Sequence, residues 1–210
     1  MVDWQTISSL ATAGGTLVLA VATFSAVRSS NRSARIAEQA LLAGLRPLLV
    51  QSRPTDPDQK VMWSDRHVAR LGGGRAVLEA QHDVIYLAMG LRNAGAGIAL
   101  LHGWYPMPER AFVNDPHADP ADFRRLTIDL YIPPSDAGYW EGAIRDHDDP
   151  LRPGFLSALN DRRPFTIDLL YGDQEGGQRT ISRVTILPAG DDGWYCQAGR
   201  HWNLDRPDPR

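Results

Sequence analysis

The chain has 210 residues, of which 43% are apolar and 22% charged. That composition excludes collagenous and wholly disordered chains and suits one globular domain with an extension. A net charge of −3 lacks the basic footprint of a nucleic-acid binder, and the single cysteine, Cys196, excludes an internal disulfide framework and a zinc site built on several thiolates.

Twenty-four consecutive residues, Trp4 to Val27, carry neither charge nor proline. As a helix they would be roughly 36 Å long at about 1.5 Å per residue, enough for a hydrocarbon layer of about 30 Å. The later half is apolar all round, which suits lipid better than a half-wet surface. The run is therefore expected to span a membrane over about residues 5–27, with Trp4 as an aromatic anchor at the interface. Small residues four apart, Ser8 with Thr12 and Ala11 with Gly15, permit close helix packing. They keep open an alternative, a soluble oligomer with a buried N-terminal helical bundle. A cleaved signal peptide is disfavoured because Met1-Val2-Asp3-Trp4 supplies no basic start.

Arg28, Arg32 and Arg35 follow the run directly, and nothing basic precedes it. Positive residues beside a span stay in the cytoplasm, so the expected topology is single-pass in the cell (inner) membrane, with the N-terminus outside and residues 28–210 in the cytosol. A reducing cytosol also suits a lone thiol. From Arg28 to Leu45 the helix is expected to continue as an amphipathic collar, with Arg28, Arg32, Arg35 and Gln39 on one face and Ile36, Ala40 and Ala43 on another. Gly44 and Pro47 are stop signals.

Beyond Pro47 the pattern changes to strands and turns. Leu48 to Val50, Val61 to Trp63 and His67 to Leu71 read as short strands, and Gly72-Gly73-Gly74 as a hairpin turn into Ala76 to Ala80. Val84 to Leu91 is an apolar run suited to a strand buried on both faces. Asn93-Ala94-Gly95-Ala96-Gly97 turns the chain into Ile98 to Tyr105. Leu126 to Ile132 alternates as a half-buried strand, followed by Gly138 to Ile144, and residues 151–161 form the one helix of the body. Phe165 to Tyr171 and Thr180 to Leu187 pair across a turn at 172–177, and Gly193 to Cys196 is a last strand. Nine or ten strands at near-regular spacing predict a mainly β fold, an antiparallel β-sandwich body behind a long N-terminal helix, with a strand-rich barrel as the alternative. The expected organisation is an N-terminal helix over 1–46, a β-sandwich domain over 47–202 and a loose tail over 203–210.

Chemical signatures are sparse. Gly95-Ala96-Gly97 opens like a dinucleotide fingerprint, but Leu100 stands at the third small position and no helix pattern follows. No phosphate loop and no Gly-x-Ser-x-Gly elbow occur. Cys196 lies in a strand and reads as an inert buried thiol. Asp115-Pro116-His117-Ala118-Asp119 places two carboxylates and an imidazole in one loop, a pattern able to hold a divalent cation, although Asp and Pro are also ordinary turn residues. Asp146-His147-Asp148-Asp149 reads the same way. The aromatic pairs Trp104-Tyr105, Tyr139-Trp140, Trp194-Tyr195 and His201-Trp202 can each send one ring into a core, because adjacent strand residues face opposite sides. Twenty-one arginines against one lysine, Lys60, is a chain-wide bias that points to no single site. No catalytic, cofactor-binding or metal residue is assigned, and no cofactor is expected.

Leu41-Leu42-Ala43-Gly44-Leu45-Arg46-Pro47, Gly90-Leu91-Arg92-Asn93-Ala94-Gly95-Ala96-Gly97-Ile98-Ala99, Leu170 to Thr180 and the tail from Arg200 carry a resemblance. The chain resembles small uncharacterised bacterial membrane proteins that join an N-terminal transmembrane helix to a β-rich, immunoglobulin-like soluble domain. The resemblance implies membrane association and a sandwich, and no catalytic residue comes with it. The functional expectation is a single-pass membrane-anchored protein whose cytosolic β-sandwich is a protein- or ligand-binding module. Its partners would be the lipid bilayer, through the N-terminal helix, and a protein or small molecule. Nucleic acid is not expected, and homo-oligomerisation through the helix is left open. The alternatives are a metal-dependent hydrolase using the 115–119 loop and the soluble oligomer described above.

Overall fold

A computed structural model describes residues 4–112, 114–190 and 193–207, the first eight of these by their backbone alone. The chain divides into two compact units, with the boundary between Gly44 and Leu45.

The first unit is one unbroken helix, α1, from Trp4–Gly44. Every described side chain along it, from Thr12 onward, is exposed. Leu17, Val18, Leu19, Val21, Phe24 and Val27 are all exposed large apolar residues, and at about 100° per residue they surround the axis. Thr16, Thr23 and Ser25 turn their hydroxyls back onto the carbonyls of Thr12, Leu19 and Ala22, each at 2.8 Å, so these polar groups are satisfied within the helix. No helix among the described residues is long and apolar enough to cross a membrane. The roles expected of Trp4, Ser8 and Ala11 rest on side chains outside the described residues.

The second unit is mainly β. Its strands are β1 Leu49–Gln51, β2 Gln59–Met62, β3 Val68–Leu71, β4 Arg75–Gln81, β5 Val84–Asn93, β6 Ala99–Met107, β7 Arg124–Ile132, β8 Ala137–Ile144, β9 Phe165–Gly172, β10 Arg179–Ala189 and β11 Gly193–Asn203. One helix, α2 (Arg152–Asn160), lies between β8 and β9 and drives Phe155 and Ala158 into the core. β2 and β3 form a separate ribbon, and the other nine strands belong to one antiparallel sheet. Its ladder runs β8-β5-β4-β11-β10-β9-β6-β7, with β1 adding to β5 beyond β4. Two stacked sheets are therefore not confirmed; the ladder is a single curled sheet. Its curl has local causes. β6 bulges at His102 against β9, β11 carries extra residues between Ala198 and His201 against β10, and residues 126–129 of β7 have no register partner on β6. Bulges of this kind bend strands and increase their twist.

The concave face closes on Leu87, Met89, Trp104, Trp140, Phe155, Phe165, Tyr171 and Trp194. On the convex side of β5 the ribbon covers a second cluster, Val61, Trp63, Leu71, Tyr86 and Ala88. β5 is thus buried on both faces, as its apolar run predicts. Gly72-Gly73-Gly74 does not make the expected hairpin. Among the described residues β3 pairs with β2 and β4 with β5 and β11, so the glycines carry the chain from ribbon to sheet. The tight hairpin is instead His82-Asp83, between partners Gln81 and Val84, with φ of 49° and 64°. Positive φ at both central residues is the primed turn that matches strand twist. The chain expected to run loose from Asn203 is held by Arg46, which donates to Asn203 at 3.0 Å and forms an ion pair with Asp205.

Asn93 joins the pieces. It is fully buried, and its Oδ1 accepts from Leu48 and Gly95 N–H while its Nδ2 donates to Gly97 and Ile132 carbonyls, at 2.6–3.1 Å. These four bonds use the whole capacity of the amide. A Cβ at Gly95 would overlap the Arg46 carbonyl, and one at Gly97 the Leu45 carbonyl, so the glycines of this motif let the incoming chain pass against the loop.

Asn93→Ala leaves two partly buried N–H donors and two carbonyls, one of them buried, without their partner, and it is expected to cost about 3 kcal/mol in urea unfolding followed by tryptophan fluorescence. Replacing His82-Asp83 by Asn-Gly relieves two left-handed non-glycine residues and is expected to stabilise by roughly 1 kcal/mol in the same assay.

Candidate functional site

The loops that looked able to hold a cation spend their groups locally. The Asp115 carboxylate accepts from Phe112 N–H at 2.7 Å, and Asp119 caps the short 3₁₀ turn Pro120–Asp122 through Ala121 N–H. His117 Nδ1 lies 2.8 Å from the Ala118 carbonyl oxygen, and its ring meets Trp202 edge-on. Arg183 clamps this loop from below, donating to the carbonyls of Phe112, Asp115 and Pro116 at 3.0 Å and gripping Asp168 with two 2.8 Å bonds. In the second loop Asp149 pairs with Arg124 and accepts from Leu151 N–H, and Asp146 accepts from Asp148 N–H. Among the described residues no three His, Cys, Asp or Glu side chains gather closely enough to hold a metal ion.

Cys196 is buried beside the carbonyls of Gly74, Arg75 and Gly90, and burial pushes its thiol up to about 12, which suppresses the thiolate. A Ser–His contact that the sequence does not reveal is also structural. Leu49 N–H donates to Tyr171 Oη, Tyr171 bonds Ser182 Oγ at 2.8 Å, and Ser182 lies 2.6 Å from His201 Nδ1. Ser182 is wholly buried, so no substrate reaches its oxygen. The aromatic pairs divide as strand geometry requires: Trp104, Trp140, Trp194 and Trp202 are buried, while Tyr105, Tyr139, Tyr195 and His201 are less so.

The feature that stands apart is the seam where the curled sheet fails to close. β7 and β8 are its two ends, and no ladder joins them among the described residues. They meet where Ile132 packs against Gly138, at the Pro133-Pro134 turn. Farther along, between residues 124–127 of β7 and residues 141–145 at the end of β8, lies a cavity of about 180 Å³. This is the stretch where β7 leaves its register with β6.

Glu141 lines the cavity. It is 8% exposed, and its Oε2 is buried without a hydrogen-bond partner. Among the described residues it is the only carboxylate oxygen in that condition. Its position follows from strand alternation: Trp140 and Gly142 face the core, so Glu141 faces the ribbon between Tyr139 and Ala143. Burial raises its pKa above the ordinary 4.5, and nearby Asp65 adds to this while Arg145 opposes it.

The rim is cationic. Arg124 is held by two bonds to Asp149, at 2.6 and 3.1 Å, with its guanidinium over the Trp104 ring at 5.4 Å. Arg145 bonds Asp65 at 3.0 Å, and Asp65 also accepts from Tyr86 Oη. Arg125 is exposed. Trp63 closes the ribbon side, its indole N–H donating to the Gly142 carbonyl at 3.0 Å. The sequence offers little sign of this site. Glu141 sits beside an aromatic pair on a strand, and only the meeting of β7 with β8 gives it neighbours.

Because the folded pKa of Glu141 is raised, the folded state binds its proton more tightly than the unfolded chain does. That contribution is fully present below about 4.5 and is lost as pH rises through the folded pKa. Glu141→Gln is therefore expected to gain stability relative to wild type as pH rises from acid to neutral, measured by urea unfolding of both proteins across that range. No family model, curated protein or solved structure matches this chain.

Proposed function

We propose that this chain is a single-pass membrane-anchored protein whose β-rich unit is a binding module for a protein or small ligand on the cytosolic side. One observation carries the reading: the uncharged Trp4–Val27 stretch lies in a single unbroken helix whose large apolar side chains, Leu17 to Val27, are exposed all round. Such a surface must be covered by lipid or by other helices. The back-bonded hydroxyls of Thr16, Thr23 and Ser25 favour lipid, because their polar groups need no outside partner. The basic collar Arg28, Arg32 and Arg35 supports the inward orientation. A binding role fits a β unit whose reactive groups are consumed by structure and whose open seam offers a lined cavity.

A second reading, a soluble bundle of copies packed through α1, is favoured by the modest hydropathy of the helix. Ala, Gly, Ser and Thr dilute it, and no helix among the described residues is long and apolar enough to cross a membrane.

Expression of the full chain followed by carbonate washing and flotation separates the two. The anchored protein is expected to float with lipid and resist the wash. Release as a detergent-free, monodisperse oligomer would reject the anchor.

A further inference from the structure

We propose that the cavity between β7 and β8 binds a small oxyanion, a carboxylate- or phosphate-type group, through Arg125 and the remaining donors of Arg124 and Arg145. The inference rests on the binding-module reading and names its ligand class.

Three observations carry it. The first is the cavity itself, placed where two strand ends lack a ladder. At about 180 Å³ it is smaller than the roughly 300–1,000 Å³ of drug-sized pockets, so its ligand has few heavy atoms. The second is the donor set. A guanidinium has five N–H donors, and the bonds to Asp149 occupy two of those on Arg124. Those to Asp65 and Ser64 come from one nitrogen of Arg145. The third is Glu141, a carboxyl group more than nine-tenths buried, with an oxygen that nothing in the fold satisfies. The residue lines the cavity, so its carboxyl group lies beside any ligand held there.

The charges around Glu141 decide which ligand completes it. Tyr139 lies on its own strand and Arg145 one residue beyond its end, Arg124 and Arg125 come from β7, Tyr86 from β5 and Asp65 from the ribbon turn. Asp149 and Asp65 already balance Arg124 and Arg145. The protonation of Glu141 then sets the balance: when it carries its proton, Arg125 leaves an excess positive charge, which favours an oxyanion and repels a cationic ligand. In the acid form Glu141 has one O–H to donate, and an oxyanion accepts it together with the guanidinium bonds.

The test uses the full-length protein in detergent micelles at constant ionic strength. Sulfate and formate serve as probes because each keeps its charge across the range. Trp63 and Trp104 line the cavity and report by fluorescence, with calorimetry as a second readout. Saturable binding is expected near pH 4.5, below the raised folded value of Glu141, weakening at least about tenfold near pH 8 as Glu141 ionises and turns from donor to repelling charge. Glu141→Gln keeps a donor and is expected to restore the tight binding near pH 8. Arg125→Ala, at an exposed position that does not threaten the fold, is expected to weaken binding about tenfold at both pH values. Competition by phosphatidylcholine vesicles only when they contain phosphatidic acid would put the oxyanion on a lipid headgroup, and its absence on a soluble molecule; both keep the proposal. No saturable binding of either probe near pH 4.5, or binding that neither substitution alters, would overturn it. Flotation is scored separately, so an anchored protein that binds no anion overturns this inference and leaves the anchor standing.

Discussion

A long antiparallel sheet with one strongly apolar face can bury that face only by curling around its own side chains. Here eight successive strands do so around a core rich in tryptophan and phenylalanine, and α2 contributes Phe155 to it. The bend is produced by bulges at His102 and near Gly199, where an extra residue forces the strand to turn. The curl stops short of a closed ladder. β7 and β8, joined by the Pro133-Pro134 turn, part company, and β7 loses register with β6 along the way. Every feature of the candidate site follows from that incomplete closure.

The buried polar groups of the β unit show how demanding this interior is. Asn93 spends all four of its amide positions, and Arg183 spends five donors on Asp168 and three carbonyls. Removing one partner from a buried pair such as Arg183–Asp168 typically costs about 3–5 kcal/mol, because the other charge is left uncompensated. Beside these complete networks, Glu141 is buried somewhat less deeply and has an oxygen left over. Among the described residues it is the only acid with a buried oxygen unpaired, and it lines a cavity; that coincidence is the physical argument for a ligand there.

The helix obeys different chemistry. Its described side chains are all exposed, the hydroxyls of Thr16, Thr23 and Ser25 bond its own carbonyls, and its charges begin only at Arg28. Nothing within that unit buries Leu17, Phe24 or Val27, so the free energy of their surface is settled by whatever surrounds it. The β unit supplies its own core, with its entry strand tied down through Arg46, Asn93 and Tyr171.

Local rules made much of the architecture readable from residues alone. The uncharged run, the stop at Gly44 and Pro47, the doubly buried strand at Val84 to Leu91, the helix near 151–161 and the pairing of β9 with β10 all depend on short-range periodicity and turn residues. Partner choice was not readable in this way. Gly72-Gly73-Gly74 has the composition of a hairpin yet joins strands with other partners, while His82-Asp83 makes the real hairpin without glycine. Asp115, His117 and Asp119 cluster in sequence but face their own backbone, whereas Glu141 meets Arg124 and Arg125 only across the seam. Sequence spacing reports neighbours on one strand. Which edges meet, and which buried groups stay unpaired when they do, is decided by how far a twisted sheet must bend to cover its core, a property of the whole sheet and of no single segment.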